Sequence, residues 1–188
     1  MSILPRGKTG FSPTSESGDV GFSDKKLSIS YRLEGNERVI SLECPGFEYP
    51  KGERGLSGQI RLKRDPNMDS MCIATSWKEN RRAFYLNQKI NCMPAGGSVK
   101  IGKNEYGFDP ADSFGGLDWG RGNWTYKNRW YWGSASGALD GLPFGWNIGY
   151  GFSDRTPASE NMIFHGNRAH KLEDVVFHID TSNYTAPW

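Results

Sequence analysis

The stretch from residue 130 to residue 151 decides the fold, because a turn in its middle fixes one complete hairpin. It reads Trp-Tyr-Trp-Gly-Ser-Ala-Ser-Gly-Ala-Leu at 130–139, Asp-Gly at 140–141 and Leu-Pro-Phe-Gly-Trp-Asn-Ile-Gly-Tyr-Gly at 142–151. Asp-Gly between alternating residues is typical of a two-residue type I′ turn. The turn pairs Leu139 with Leu142, and each step outward pairs the next residue on either side, as far as Trp130 with Gly151.

This register gives the hairpin two different faces. One face is almost wholly apolar, so we expect it to pack against a second sheet; it carries Tyr131, Phe144, Trp146 and Ile148. The other face combines two indoles with small polar groups, a lining found in small-molecule pockets; it carries Trp130, Trp132, Ser134, Ser136 and Asn147. The alternative is that the polar groups of this second face meet water while the indoles cover backbone.

The rest of the chain shows the same alternation with a period of two, which predicts β-strands. Such segments lie at 27–33, 40–44, 56–62, 71–75, 84–90, 99–101, 106–108, 128–136, 144–152 and 162–164. A last strand at 175–179 is expected to return from a turn at Gly166-Asn167. We therefore predict an all-β antiparallel fold, a barrel or a sandwich, over 16–188, preceded by a flexible segment over 1–15.

Composition excludes several classes of protein. Aromatic residues make up 13% of the chain, whereas disordered chains are poor in them. No segment approaches the roughly 20 apolar residues of a membrane helix, and the first residues contain no apolar core of a signal peptide. The net charge is +2 with both signs interspersed, so we expect neither a nucleic acid nor stable insertion into a membrane.

Metal and cofactor motifs are missing from the sequence as well. Cys44, Cys72 and Cys92 are odd in number and have no CxxC spacing, which argues against a disulfide framework and a zinc site. The three histidines are not spaced for a metal, and no dinucleotide or phosphate-loop pattern occurs in a suitable context. We expect no metal and no cofactor, and the cysteines indicate a reducing compartment, the cytoplasm.

A glycine-rich segment carries the best candidate for acid–base chemistry. Residues 115–122 read Gly-Gly-Leu-Asp-Trp-Gly-Arg-Gly, which places Asp118 beside Trp119 and Arg121. Indoles would raise the pKa of a desolvated carboxyl and make it a general acid, whereas the arginine would keep it ionised. The alternative is an Asp–Arg pair that only fixes a loop. Nearby, 87–91 reads Asn-Gln-Lys-Ile-Asn, so one face of that strand is expected to meet a polar interior.

Several longer motifs resemble the domain-of-unknown-function family 2804. They are Phe-Tyr-Leu-Asn-Gln-Lys-Ile-Asn-Cys-Met-Pro at 84–94, Phe-Asp-Pro-Ala-Asp-Ser-Phe at 108–114, Leu-Asp-Trp-Gly-Arg-Gly at 117–122, and the hairpin strands at 130–137 and 144–151. The likeness covers most of 15–188. The family is similar to calycin-like proteins built from two lipocalin-like β-domains, among them the carotenoid hydratases and AttH-like proteins.

This resemblance implies a lipocalin-like barrel and places the chain as an internal or truncated piece that spans parts of two such domains. Missing strands would leave an open edge, through which two copies could pair as a homodimer. The hydratases protonate an alkene and add water to the carbocation. Their motif has an aspartate shortly before a Trp-Gly pair, and Asp118-Trp119-Gly120 is similar but more tightly spaced.

Three functions are therefore compared. The first is binding of a hydrophobic small molecule, a lipid or an isoprenoid, in a pocket whose expected residues are Trp130, Trp132, Ser134, Asn147, Lys89, Asp118, Trp119 and Arg121. The second is an acid–base hydratase or isomerase with Asp118 as proton donor and indoles that stabilise a cation. The third is carbohydrate binding, which requires Trp130 and Trp132 on an open, flat face.

Overall fold

The computed structural model describes residues 14–15, 19–151 and 159–185. In these ranges every regular element is a β-strand and every pairing is antiparallel, so the predicted all-β antiparallel fold is confirmed. The flexible segment predicted over 1–15 lies outside the described residues, apart from Thr14 and Ser15. The strands are β1 (Val20–Ser23), β2 (Ser28–Glu34), β3 (Glu37–Glu48), β4 (Arg54–Lys63), β5 (Met71–Ser76), β6 (Phe84–Ile101), β7 (Asn104–Phe108), β8 (Phe114–Asn123), β9 (Tyr131–Leu139), β10 (Leu142–Tyr150), β11 (Met162–His165) and β12 (Arg168–Lys171).

The long strand β6 organises the larger sheet. Its 18 residues pair with β8 and then β7 along one edge, and with β5 and then β4 along the other. Beyond β4 the sheet continues through β3 and β2 to β1, which gives eight strands in all. The second sheet has four strands in the order β12-β11-β10-β9.

Over the described residues these sheets do not close into a barrel, so the architecture is a sandwich or an incomplete barrel. Strand β9 lies at the edge of the smaller sheet, and β1 at the edge of the larger one. Pairing of two copies through such an edge stays a prediction. No helix among the described residues has the length and apolar character needed to cross a membrane.

A bulge in β6 changes which of its side chains face the smaller sheet. The register against β8 shifts after Ile90, and Cys92 has a positive φ of 59°. An extra residue in one strand lets two consecutive residues reach the same side. Asn91 Nδ2 donates to Ser134 Oγ (2.9 Å), while the backbone N–H of Cys92 donates to Ser136 Oγ (3.0 Å). The bulge thus attaches β9 to β6 through two successive residues.

Two apolar cores lie on opposite sides of β6. Successive side chains of a strand point to opposite faces, so β6 contributes to both. The core between β6 and the smaller sheet contains Met68, Met71, Ile73, Trp77, Ala83, Tyr85, Cys92 and Phe164. The core between β6 and the strands β3 and β4 contains Leu62, Ile90, Met93 and Ala95, with Ile40 and Ile60 packed against them.

The β9–β10 hairpin has the predicted register, which continues outward from the turn to the pair Tyr131 and Tyr150. Asp140 and Gly141 have positive φ angles of 52° and 77°. Both central residues of a type I′ turn need a positive φ. The turn chemistry of two residues was therefore sufficient to predict the whole ladder correctly.

The prediction that the apolar face of this hairpin packs against a second sheet is wrong. The polar face does so: the side chain of Asn147 is fully buried, and a Cβ on Gly145 would lie 2.7 Å from Cys92 Sγ in β6. At its Tyr131 end the apolar face contacts the segment after β12, where the ring centre of Phe177 lies 6.2 Å from that of Tyr131. The polar side chains turn inward because β6 offers them buried hydrogen-bond partners.

The last hairpin also differs from expectation. The turn at Gly166-Asn167 leads directly into β12, which pairs with β11, whereas residues 175–179 form no strand. Gly166 has a positive φ of 58°, which allows the tight turn and the short return. The alternation at 175–179 instead reflects side chains that cover the hairpin on one side, since Val175, Phe177 and Ile179 are half-buried and Val176 is exposed.

We expect Gly145→Ala to destabilise the fold by about 1–3 kcal/mol. The added methyl group would lie 2.5 Å from the Ala135 carbonyl oxygen and 2.7 Å from Cys92 Sγ, so the two sheets would have to shift apart. Gly137→Ala in the same hairpin is the matched control, because its nearest atom outside its neighbours would be 4.0 Å away. Urea denaturation compares the two variants, and equal stabilities would contradict this packing.

Candidate functional site

The candidate site forms where β8 pairs with the polar part of β6. In this register Lys89 lies opposite Asp118, and Asn87 lies opposite Gly120. Directly opposite residues point to the same side of a sheet. Lys89, Asn87 and Asp118 therefore share the side on which the β9–β10 hairpin packs.

The centre of the site is the side chain of Lys89, which is only 6% exposed. Its Nζ lies 2.8 Å from Asp118 Oδ2, 3.2 Å from Glu160 Oε2 and 4.5 Å from the ring centre of Trp132. A buried ammonium group loses its hydration and needs opposite charges and acceptors to offset that loss. Two carboxylates and one indole face supply them here. Lys89, Asp118 and Glu160 are called the charged cluster below.

A chain of hydrogen bonds holds the indole over the ammonium group. Trp132 Nε1 donates to Asn147 Oδ1 (2.9 Å), and Asn147 Nδ2 donates to the backbone oxygen of Glu160 (2.9 Å). Asn147 is fully buried, so both groups of its amide are used where water does not reach. A Cβ on Gly149 would lie 2.5 Å from Glu160 Oε1, so this position must be small for the carboxylate to reach Lys89. The hairpin thus positions both Trp132 and Glu160.

Asp118 acts as an acceptor through both of its carboxylate oxygens. Oδ2 accepts from Lys89 Nζ, and Oδ1 accepts from Asn87 Nδ2 at 2.8 Å. Its side chain is nevertheless 49% exposed, so it is the member of the charged cluster that a ligand reaches most easily. The alternative role of Asp118 as a proton donor stays a prediction.

The charged cluster opens into a cavity of about 320 Å³, called the lysine cavity. Aromatic and polar side chains alternate around it: the lining residues are Tyr85, Asn87, Lys89, Asp118, Gly120, Trp124, Trp130, Trp132 and Glu160. Trp130 and Trp132 are each about half exposed, so the cavity has indole walls that face solvent. Asn87 Oδ1 is buried and accepts no hydrogen bond from the described part of the chain.

A larger cavity of about 710 Å³, called the apolar cavity, also borders β8. Its walls include aliphatic residues of β2, β3 and β4 and a run of β8 from Gly116 to Gly122, with Asp118, Gly120 and Trp124 shared with the lysine cavity. The apolar side chains among them are Leu33, Val39, Ile40, Leu62, Leu117 and Trp119. Arg32, Arg38 and Arg121 also line it. Arg38 is buried and donates from Nη2 to the backbone oxygen of Ser15 at 3.2 Å.

The residues expected to form one pocket are therefore divided between two cavities. Trp130, Trp132, Lys89 and Asp118 line the lysine cavity, with Asp118 also at the apolar cavity. Trp119 and Arg121 line only the apolar cavity. Ser134 and Asn147 line neither, since Ser134 accepts from Asn91 and Asn147 supports Trp132. Contact of these eight residues with a ligand stays a prediction.

Sequence reasoning missed Glu160, Asn87, Tyr85 and Trp124 as members of the lysine cavity. Asn87 belongs to the polar strand segment for which a polar interior was expected, and this signal pointed to the right face. Glu160 is separated from Lys89 by most of the second half of the chain, and it reaches the site through the pairing of β10 with β11. No local pattern could have indicated that contact.

Other reactive groups near the site are packed against protein. Cys92 is fully buried beneath the hairpin, and burial raises the pKa of its thiol, which keeps it neutral. In the ranges that the structure covers, no group of three or more His, Cys, Asp or Glu side chains could hold a metal ion. The chemistry of the site therefore rests on the charged cluster and the indoles.

The fold and the site define an open all-β protein of two antiparallel sheets, with a charged cluster where they meet. The family model described as "Domain of unknown function (DUF2804)" matches residues 1–188, so the chain belongs to this family. No curated protein and no solved structure gives a significant match to the chain. The likeness to calycins stays a prediction.

We expect Lys89→Met to destabilise the protein by about 3–5 kcal/mol, because it leaves a buried carboxylate without its counter-ion. The side chain of Glu160 is 9% exposed, so adding Glu160→Gln should recover a large part of that loss. Asp118→Asn should cost less than about 1 kcal/mol, because Asp118 is half exposed. Urea unfolding of the variants gives these energies. Strict additivity of Lys89→Met and Glu160→Gln would contradict the ion pair.

Proposed function

We propose that the protein binds a hydrophobic small molecule, a lipid or an isoprenoid, in the apolar cavity. The observation that supports this most directly is the cavity itself, which measures about 710 Å³ and has mainly apolar walls. Ligand pockets usually measure about 300–1,000 Å³ and are mostly apolar with a few polar groups. The apolar cavity has this size and this composition.

The arrangement of the walls supports an apolar ligand held between strands of the larger sheet. Leu33 and Ile40 come from β2 and β3, whereas Leu117 and Trp119 come from β8, so the ligand would lie between two parts of one curved sheet. Removing an apolar surface from water provides about 25 cal/mol per Å², which favours a ligand that fills this space. The walls already exist in the folded chain, which reduces the cost of ordering them on binding.

Three arginines in the lining favour a ligand with an anionic or carbonyl end group. Arg32, Arg38 and Arg121 line the cavity, and among the described residues Asp118 is the carboxylate that lines it with them. Guanidinium groups form strong, often bidentate hydrogen bonds to carboxylates. A fatty-acid-like amphiphile therefore fits the lining better than an uncharged hydrocarbon.

We also propose that the protein works in a reducing compartment, such as the cytoplasm. Cys44, Cys72 and Cys92 are free thiols, and Cys72 is exposed. Exposed thiols persist where glutathione and thioredoxin keep cysteines reduced. Alkylation in intact cells, followed by mass spectrometry, should find Cys72 labelled; a protein whose Cys72 is fully oxidised in cells would contradict this proposal.

We expect Leu33→Trp to weaken binding of a fluorescent fatty acid by about tenfold or more, which corresponds to about 1.4 kcal/mol. The larger ring would occupy part of the apolar cavity, which Leu33 lines. An anthroyloxy-labelled stearate is the probe, titrated by its fluorescence, and retinol is the uncharged comparison. Stearate should bind more tightly than retinol if the arginines contribute.

Leu139→Trp is the matched control for this experiment. Leu139 lies half exposed at the tip of the β9–β10 hairpin and lines none of the cavities described here, so the same substitution should leave the affinity unchanged. Thermal unfolding of both variants shows whether they remain folded. A wild-type protein that binds neither probe, or equal affinities for the two variants, would overturn the proposal.

A further inference from the structure

We propose that the lysine cavity is a second binding site, which takes a neutral, polyhydroxylated ligand of the sugar class. The cavity shares Asp118, Gly120 and Trp124 with the apolar cavity, but the rest of its lining has a more polar character. Lys89, Asp118, Glu160 and Asn87 provide charged and amide groups at its base, and indoles provide its walls. This inference does not depend on ligand binding in the apolar cavity.

The charges in the cavity favour a neutral ligand over an ion. Lys89 Nζ already occupies the position of a cation on the face of Trp132, at 4.5 Å from the ring centre, and it pairs with both carboxylates, so a cationic ligand would find the usual partners of a cation already taken. An anionic ligand would meet the carboxylates of Asp118 and Glu160, which both lie on Lys89. Like charges at such short distances are unfavourable. A ligand without charge meets neither penalty.

Hydroxyl groups match the polar atoms that the cavity presents. A hydroxyl both donates and accepts hydrogen bonds. Asp118 is half exposed, so its carboxylate can accept from a ligand in addition to Lys89 and Asn87, and such charge-assisted hydrogen bonds are strong. Asn87 Oδ1 receives no hydrogen bond within the described residues but is buried, so the half-exposed carboxylate of Asp118 is the acceptor that a ligand hydroxyl would reach.

A sugar ring also has an apolar face made of C–H groups, and the indole walls of the cavity can stack against that face. Trp130 and Trp132 line a cavity and not the open, flat face expected for carbohydrate binding, but they are 50% and 46% exposed, which leaves surface on both indoles for stacking. Trp132 is fixed in place through its hydrogen bond to Asn147, so little order has to be gained on binding. The volume of about 320 Å³ is near the lower limit for ligand pockets, which limits the ligand to about one ring.

Saturation-transfer NMR with single sugars tests this proposal. The neutral probes are glucose, galactose, mannose and N-acetylglucosamine, each at about 5 mM, where even a Kd near 1 mM gives clear occupancy. Glucosamine and glucuronate are charged probes of the same ring size. We expect at least one neutral sugar to bind and to bind more tightly than the cationic and anionic probes.

Two variants locate the site, and a third serves as control. Trp130→Ala should weaken binding about tenfold or more, because it removes a stacking wall, and Asp118→Asn about fivefold, because it replaces a charged acceptor by a neutral one. Tyr126→Ala removes an aromatic ring that is fully exposed and lines none of the cavities described, so it should have no effect. Thermal unfolding checks that all three variants are folded.

Three outcomes would overturn the proposal. One is that no neutral sugar binds to the folded wild-type protein at this concentration. Another is that glucosamine or glucuronate binds more tightly than every neutral sugar, which would assign the cavity to an ion. The last is that both Trp130→Ala and Asp118→Asn are folded and bind as the wild-type protein does, which would place the sugar elsewhere.

Discussion

The burial of one ammonium group constrains much of this structure. Lys89 is buried in the first third of β6, and its charge requires partners that the strand itself does not supply. Asp118 comes from the neighbouring strand β8, whereas Glu160 comes from the residues before β11 in the other sheet. The two sheets must therefore meet at Lys89. A buried charge of this kind adds little to net stability, but it penalises every arrangement in which its partners are elsewhere.

This constraint also explains why the β9–β10 hairpin turns its polar face inward. Trp132 must lie over the ammonium group, and Asn147 must hold both Trp132 and the backbone of Glu160. These residues alternate on one side of the hairpin together with Gly145 and Gly149, whose lack of a side chain permits the close approach. The bulge at Cys92 completes the contact, because it lets consecutive residues of β6 reach β9.

Features that neighbouring residues determine could be predicted from the sequence. Features that depend on residues far apart in the chain could not. The Asp140-Gly141 turn fixes its own dihedral angles, so the hairpin ladder followed from two residues. Which face of the hairpin is buried depends on the partner, and hydrophobicity alone favoured the wrong face. The segment 175–179 alternates because it covers rings of the hairpin, and a covering segment has the same period as a strand.

In the candidate site too, the local features could be predicted and the long-range contacts could not. Lys89 and Asp118 could be selected from polar or glycine-rich surroundings, since those surroundings are local. Their pairing depends on the β6–β8 register, and Glu160 joins them only through the folded second sheet. For the same reason the sequence merged two cavities into one: Trp119 and Asp118 are neighbours in the chain, but successive residues of a strand face opposite sides.

Strand β8 therefore borders both the apolar cavity and the charged cluster, and these require different side chains at different positions of the strand. Leu117, Trp119 and Arg121 line only the apolar cavity, whereas Asp118 extends to the charged cluster and Gly120 leaves room for Asn87, whose Nδ2 would lie 2.9 Å from an added Cβ. A change at an odd-numbered position can alter the apolar cavity and leave the charged cluster in place. A change at Asp118 or Gly120 affects both, because these two residues line the apolar cavity as well as the lysine cavity. The short motif around Asp118 therefore encodes two surfaces in one strand, and this explains its unusual mixture of glycine, aromatic and charged residues.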